Sequence, residues 1–277
     1  MTPGVLPRLF ELYIKASLHV ALAVTALALV TVYELGISAD PFLLGFIFSS
    51  TVVSYNFTKY VFVFTAGADR PAAILKKVGV VSALAFAAMC LMLFRLPLDV
   101  ILLAAVFGAV TIAYAVPVSE GRRNLRSIYG IKIAVIALVW AGVTVVLPVM
   151  NHGIESLSVL DVGIESLQRL LFVAVLILPF DIRDYRYDDS ALGTLPQLIG
   201  VRESKVLGMV LLISCVVLEG IINPVSSALF IIFGLIAAVT AVMVRRSMMI
   251  QSRYFASFWV EGIPIIWAIL LILSNAI

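Results

Sequence analysis

Charge is scarce in this 277-residue chain: 13% of its residues are Asp, Glu, Lys or Arg, against 63% hydrophobic. That balance excludes a soluble globule, because too little polar surface is present to cover one of this size. Cysteine and histidine are scarcer still, with two of each. Cys90 and Cys215 fall inside apolar runs, where a thiol behaves as a small hydrophobe, and their spacing supports neither a disulfide framework nor a zinc site. No Pro/Gly/Ser-rich linker and no polar block of soluble-domain size interrupts the sequence, so residues 1–277 read as a single transmembrane helical domain. The P-loop, the Rossmann glycine fingerprint, HExxH and GxSxG are missing. So is a basic, aromatic-interleaved polar region, and no nucleic-acid partner is expected.

What the chain has in place of these is apolar runs of about 17 to 25 residues, the length a helix needs to cross a lipid bilayer. They lie near 13–33, 42–63, 79–95, 98–117, 129–149, 164–182, 205–222, 226–244 and 256–275. The expected fold is all-α, a polytopic membrane bundle of about nine transmembrane helices. The first run follows Arg8, Glu11 and Lys15 and has no small-residue cleavage site, so it reads as a retained span in a chain beginning at Met1.

The basic residues are distributed very unevenly. When the N-terminus and every second gap are assigned to one side, that side holds seventeen of the nineteen Lys and Arg residues, and only Arg95 and Arg169 lie on the other. The positive-inside rule then predicts an integral protein of a prokaryotic inner or plasma membrane, with the N-terminus cytoplasmic and the C-terminus outside. The longest polar gaps, 64–78, 118–128 and 183–204, are all on the cytoplasmic side. On the other side, residues 150–163 contain the first of two GIES echoes (Gly153–Ser156 and Gly163–Ser166) and read as a short amphipathic cap.

One cytoplasmic gap carries the acidic cluster PFDIRDYRYDDSALGTLP, residues 179–196. Carboxylates are costly near lipid and mark a functional site by default. Asp181, Asp184 and Asp188 are spaced i, i+3, i+7, which puts them on one stripe if the helix continues into the cytoplasm. Hard oxygens in this arrangement suit Mg²⁺, which bridges carboxylates to substrate phosphates. A solvated face paired with Arg183, Arg186 and Asp189 is the alternative.

The stretch DIRDYRYDDSALGTLPQLIG resembles the second aspartate-rich motif of the UbiA superfamily of intramembrane prenyltransferases, which reads DxxDxxxD followed by TLP. Asp181, Asp184 and Asp188 match it, as do Gly193, Thr194, Leu195, Pro196 and Gly200 in its tail. The family's first motif, NDxxDxxxD at the end of the second span, has only a partial counterpart here. Asn56 is kept, Phe57, Tyr60 and Phe64 replace the aspartates, and Lys59 stands beside them. The resemblance implies a UbiA-like bundle in which Mg²⁺ on the aspartates holds a prenyl diphosphate for transfer to a hydrophobic acceptor. The altered first motif removes ligands for at least one ion. Asn56, Lys59 and Tyr60 share a helix face, and a Lys ammonium can neutralise diphosphate where a metal otherwise would. Alternatively, Lys59 snorkels to the interface while Asn56 bonds a neighbouring helix.

A second basic set comprises Tyr114, Arg122, Arg123, Arg126 and Lys132. By the same resemblance it would hold diphosphate oxygens, whereas topology and lipid headgroups account equally well for Arg122 and Arg123. Glu261, an intramembrane carboxylate, is expected to face a cavity, where it would pair with a cation or bind an acceptor. His19 and Lys15 suit a helix contact, and Glu219 an interfacial position. Two functions stay open: a Mg²⁺-dependent prenyltransferase, and a non-catalytic relative that binds an isoprenoid or lipid. An ion-coupled transporter fits less well, since no inverted repeat is visible.

Overall fold

The computed structural model describes residues 5–66, 72–116, 130–186 and 193–275, and among these no strand occurs. The helices are α1 (Val5–Lys15), α2 (Leu18–Glu34), α3 (Pro41–Ala66), α4 (Ala72–Leu93), α5 (Leu98–Ala115), α6 (Ile131–Ala141), α7 (Leu147–His152), α8 (Val159–Asp184), α9 (Leu195–Ile199), α10 (Val201–Ile222), α11 (Ala228–Arg246) and α12 (Ile263–Asn275). A π-helical turn, Gly142–Val146, joins α6 to α7, and another, Phe255–Val260, precedes α12.

Seven spans among the described residues are long and apolar enough to cross a membrane, or eight if α1 and α2, bent by 59°, form one. At 26 residues α3 also has the length to cross. The structure therefore agrees with a bundle of about nine spans and revises the first. That apolar run begins as α1, breaks at Ser17 in a left-handed conformation (φ 61°), and resumes as α2. α1 is amphipathic, with Leu6 and Leu9 exposed, as befits a helix lying in the interface.

Half of the membrane window of α8 is buried, against 6% for α4, which makes α8 a central helix and α4 a peripheral one. α8 packs on α6 and α10, α2 on α3 and α12, and α11 on α10 and α12. One core cluster joins Leu27, Phe172, Phe233, Ile236 and Trp267, with Phe172 and Trp267 meeting edge to face at 5.3 Å. A second gathers Val24, Phe46, Ile47, Val100 and Leu147.

The far end of α8 is held by a buried polar knot. Arg169, fully buried, pairs with Glu165, donates to Leu27 O at 2.6 Å and Thr31 Oγ1 at 3.2 Å, and lies 5.4 Å from the Trp267 ring centroid. Gln168 donates to Glu219 Oε2 at 2.8 Å, and Asn223 to Glu219 Oε1 at 2.9 Å. Glu219 is therefore core and not interfacial, because α8 and α10 pack closely enough to supply its carboxylate with donors. Residues 150–163 form the end of α7, a single 3-10 turn (Ile154–Ser156) and the Ser158-capped start of α8; no separate amphipathic helix lies there.

Candidate functional site

Near the ends of α3, α5 and α8 and the starts of α2 and α6, the helices enclose a cavity of about 700 Å³, within the roughly 300–1,000 Å³ common for small-molecule sites. Its deeper wall is apolar and aromatic, with Phe46, Phe107, Ile136, Trp140, Val143, Leu147 and Leu176. Trp140 Nε1 donates to Tyr55 OH at 3.0 Å, so the wall carries one polar bridge. The other end carries Lys59, Tyr114, Lys132, Asp181, Arg183, Asp184 and Glu261.

Asp181, fully buried on the last turn of α8, meets Lys132 Nζ from the start of α6 at 2.8 Å. Asp184 accepts two hydrogen bonds from Arg183, to Oδ1 at 2.7 Å and Oδ2 at 2.9 Å. The Arg183 guanidinium lies 5.3 Å from the Phe180 ring centroid. α8 ends at Asp184, so the expected helical stripe is described only for Asp181 and Asp184. Asp188, Arg122, Arg123 and Arg126 lie outside the described residues. The TLP tail forms a small structural unit: Thr194 and Gln197 make a capping box for α9, and Gly193 and Gly200 take the positive φ values (51° and 92°) that turn the chain on either side.

The altered first-motif stripe is spent largely on the break between α1 and α2. Asn56 Nδ2 donates to Ala16 O at 3.1 Å and Ser82 Oγ at 2.9 Å, Lys59 Nζ to Ser17 Oγ at 3.0 Å, and Tyr60 OH to Lys15 O at 3.0 Å. Asn56 and Tyr60 therefore stand behind the cavity wall, while Lys59 lines it, 5.8 Å from the Tyr55 ring centroid. The expected convergence of Asn56 on the aspartates is not found, because its amide is committed to the helix break. Phe57 is 40% exposed on the bundle surface and supplies nothing to the cavity. His19 makes its expected helix contact, with Nε2 2.9 Å from Phe258 O.

For Mg²⁺, the donor chemistry differs between the two regions. Asp181 and Asp184 are hard oxygen donors of the type Mg²⁺ takes, and each is paired with a cation here, Lys132 and Arg183 respectively. The Asn56–Tyr60 stripe offers no carboxylate and does not fit a second ion. Among the described residues, no group of three His, Cys, Asp or Glu side chains could hold a metal. Sequence reasoning missed Arg183 as a cavity cation, Tyr55 and Trp140 as its polar bridge, and Ser17 as the partner of Lys59. Arg183 was visible inside the acidic motif, but Ser17 looked like one more small residue in an apolar run.

No protein-family model matches the chain, and no curated protein sequence does. Its fold, however, is that of UbiA homologues. The apo structure of a UbiA homolog from Aeropyrum pernix K1 superposes with a TM-score of 0.67 at 13% identity, covering 94% of this chain and 98% of that one. A UbiA homolog from Archaeoglobus fulgidus bound to GPP and Mg²⁺ gives a TM-score of 0.64 at 12% identity, over 96% and 100% of the two chains. A UbiA homolog from Archaeoglobus fulgidus bound to Cd²⁺ gives 0.59 at 12% identity.

Proposed function

We propose that this chain is a membrane-embedded prenyltransferase that takes an isoprenoid diphosphate into this cavity, with the headgroup at its charged end and the tail along the Phe107–Trp140 wall. The observation that carries the proposal is the meeting of Lys59, Lys132, Arg183, Asp181 and Asp184 in the lining of a cavity whose deeper wall is mainly apolar. A UbiA homolog of similar fold binds GPP and Mg²⁺, which supports the choice of ligand. By this reading the prenyl C1–O bond breaks with its electron pair leaving on the diphosphate, and an apolar acceptor forms the new bond at C1. Arg183 and the two lysines hold the diphosphate oxygens, and their charge grows in value as the leaving group gains charge in a water-poor site. Asp181 and Asp184, with Asp188 from the sequence, would hold one Mg²⁺, which when bound supplies further neutralisation of the diphosphate. By this reading Lys59 supplies the charge that a second ion would otherwise bring.

Because Asn56 and Tyr60 are spent on the helix break, a non-catalytic isoprenoid-binding protein is the second reading. The test is to titrate geranyl diphosphate binding and diphosphate release against Mg²⁺. Wild type should bind and release, and Lys59→Ala should bind at least several-fold more weakly than the surface control Arg245→Ala. Binding without release selects the non-catalytic reading. Equal affinity in Lys59→Ala and wild type ends the substitute-cation role.

A further inference from the structure

Asp181 and Asp184 are engaged by Lys132 and Arg183, which leaves one cavity carboxylate differently placed. Glu261 lines the same space, yet among the described residues no hydrogen bond or ion pair holds its oxygens. It also stands at a built irregularity. The π-turn Phe255–Val260 ends on it, Glu261 N donates to Ala256 O at 3.1 Å, and Gly262 N to Phe258 O at 2.8 Å. A Cβ at Gly262 would stand 2.8 Å from Phe258 O, a backbone atom that cannot swing aside, so this residue has to be glycine for the turn to close. His19 clamps the same Phe258 carbonyl and stacks on its ring at 4.8 Å, with Tyr13 OH on its other nitrogen at 2.7 Å. The backbone beside the carboxylate is thus fixed from α1 and α2, while the carboxylate itself is left to a ligand.

The charged and titratable groups facing Glu261 are Lys59 and Tyr55 from α3, Arg183 from α8 and Tyr13 from α1, with His19 of α2 next to Gly262. Lys59 and Arg183 sense its charge without bonding to it. A carboxylate accepts hydrogen bonds and offers none, so its complement carries an O–H or N–H donor, and Val260 and Pro264 beside it in the cavity lining suit an otherwise apolar molecule. Resting on the prenyl-transfer reading above, we propose that Glu261 is the catalytic base on the acceptor side: it receives the hydrogen bond of a hydroxyl-bearing, largely apolar acceptor and takes its proton. The O–H electron pair stays on the acceptor oxygen, which bonds prenyl C1 as the C1–O bond to diphosphate breaks. The proton ends on Glu261, and the products are a prenyl ether and diphosphate.

The test uses the full chain in detergent with Mg²⁺, geranyl diphosphate and 2-naphthol as the probe acceptor. Wild type should form geranylated naphthol at a rate that rises with pH through one deprotonation. Glu261→Gln should cut turnover ~100-fold or more, the scale of general-base loss, and abolish that limb, without weakening geranyl diphosphate binding. Glu261→Asp should keep the limb at a reduced rate, and carries the comparison if the glutamine variant does not fold. Wild-type turnover or an intact limb in Glu261→Gln overturns the assignment, as does diphosphate release by wild type with no naphthol prenylated. Failure of wild type to bind geranyl diphosphate at all overturns the prenyl-transfer reading, and this assignment with it.

Discussion

Asp181 shows how much a single residue in this chain depends on its partner. Its side chain is fully buried, and the Lys132 side chain, 12% exposed, brings its ammonium to 2.8 Å. Removing one member of a buried ion pair typically costs about 3–5 kcal/mol, because the remaining charge has lost its solvation and its compensation together. Lys132→Met should therefore lower the thermal midpoint of the detergent-solubilised protein markedly in chelator, and Mg²⁺ should restore part of the loss if the ion takes the place of the ammonium at Asp181. Melting curves with and without Mg²⁺ check this. A variant equally unstable in both conditions would remove Asp181 from the ion's ligands.

At the scale of elements, the break between α1 and α2 is the least expected feature. The apolar run 13–33 reads as one span, since neither Gly nor Pro marks the break and Ser17 has left-handed backbone dihedrals that sequence pattern does not announce. The three hydrogen bonds from Asn56, Lys59 and Tyr60 hold that conformation from the side. Asn56→Ala with Tyr60→Phe should loosen α1 first: its amides should exchange faster and its backbone should cleave sooner in limited proteolysis, with α8 and α10 unchanged. Uniform acceleration across the bundle would mean that the break is part of the global core. The two π-turns were equally hidden. Their glycines were in view, but a Cβ at Gly142 clashes with the Phe107 ring and one at Gly262 clashes with a carbonyl, and both are facts of packing that no single segment reveals.

The molecule as a whole was more legible than its site. Apolar length alone gave the helical bundle, because only helices satisfy their backbone inside lipid without a closed barrel. Asp181, Asp184, Lys132, Tyr114, Lys59 and Glu261 were each expected at a functional site and do line one cavity. Asn56 and Tyr60 were expected with them, but stand behind its wall because their tertiary partners lie on another helix. The seventeen-to-two division of basic residues predicts a cytoplasmic cavity mouth. Reporter tags inserted at Lys77 and Arg246 should read cytoplasm, and one after Ile277 the opposite side. A cytoplasmic C-terminus would reverse the span parity and leave the positive-inside assignment without support.

The stripe that clamps Ser17 also bears on what sequences this chain can reach by mutation. Tyr60→Asp forfeits the bond to Lys15 O and sets a carboxylate beside Lys59 before any second metal site exists to benefit. An aspartate at 57 faces the bundle surface, where it costs desolvation and gains no ligand role. On the prenyl-transfer reading, each single step towards a two-metal cavity is therefore expected to be a loss when taken alone, so that such a site is reachable only by paired changes.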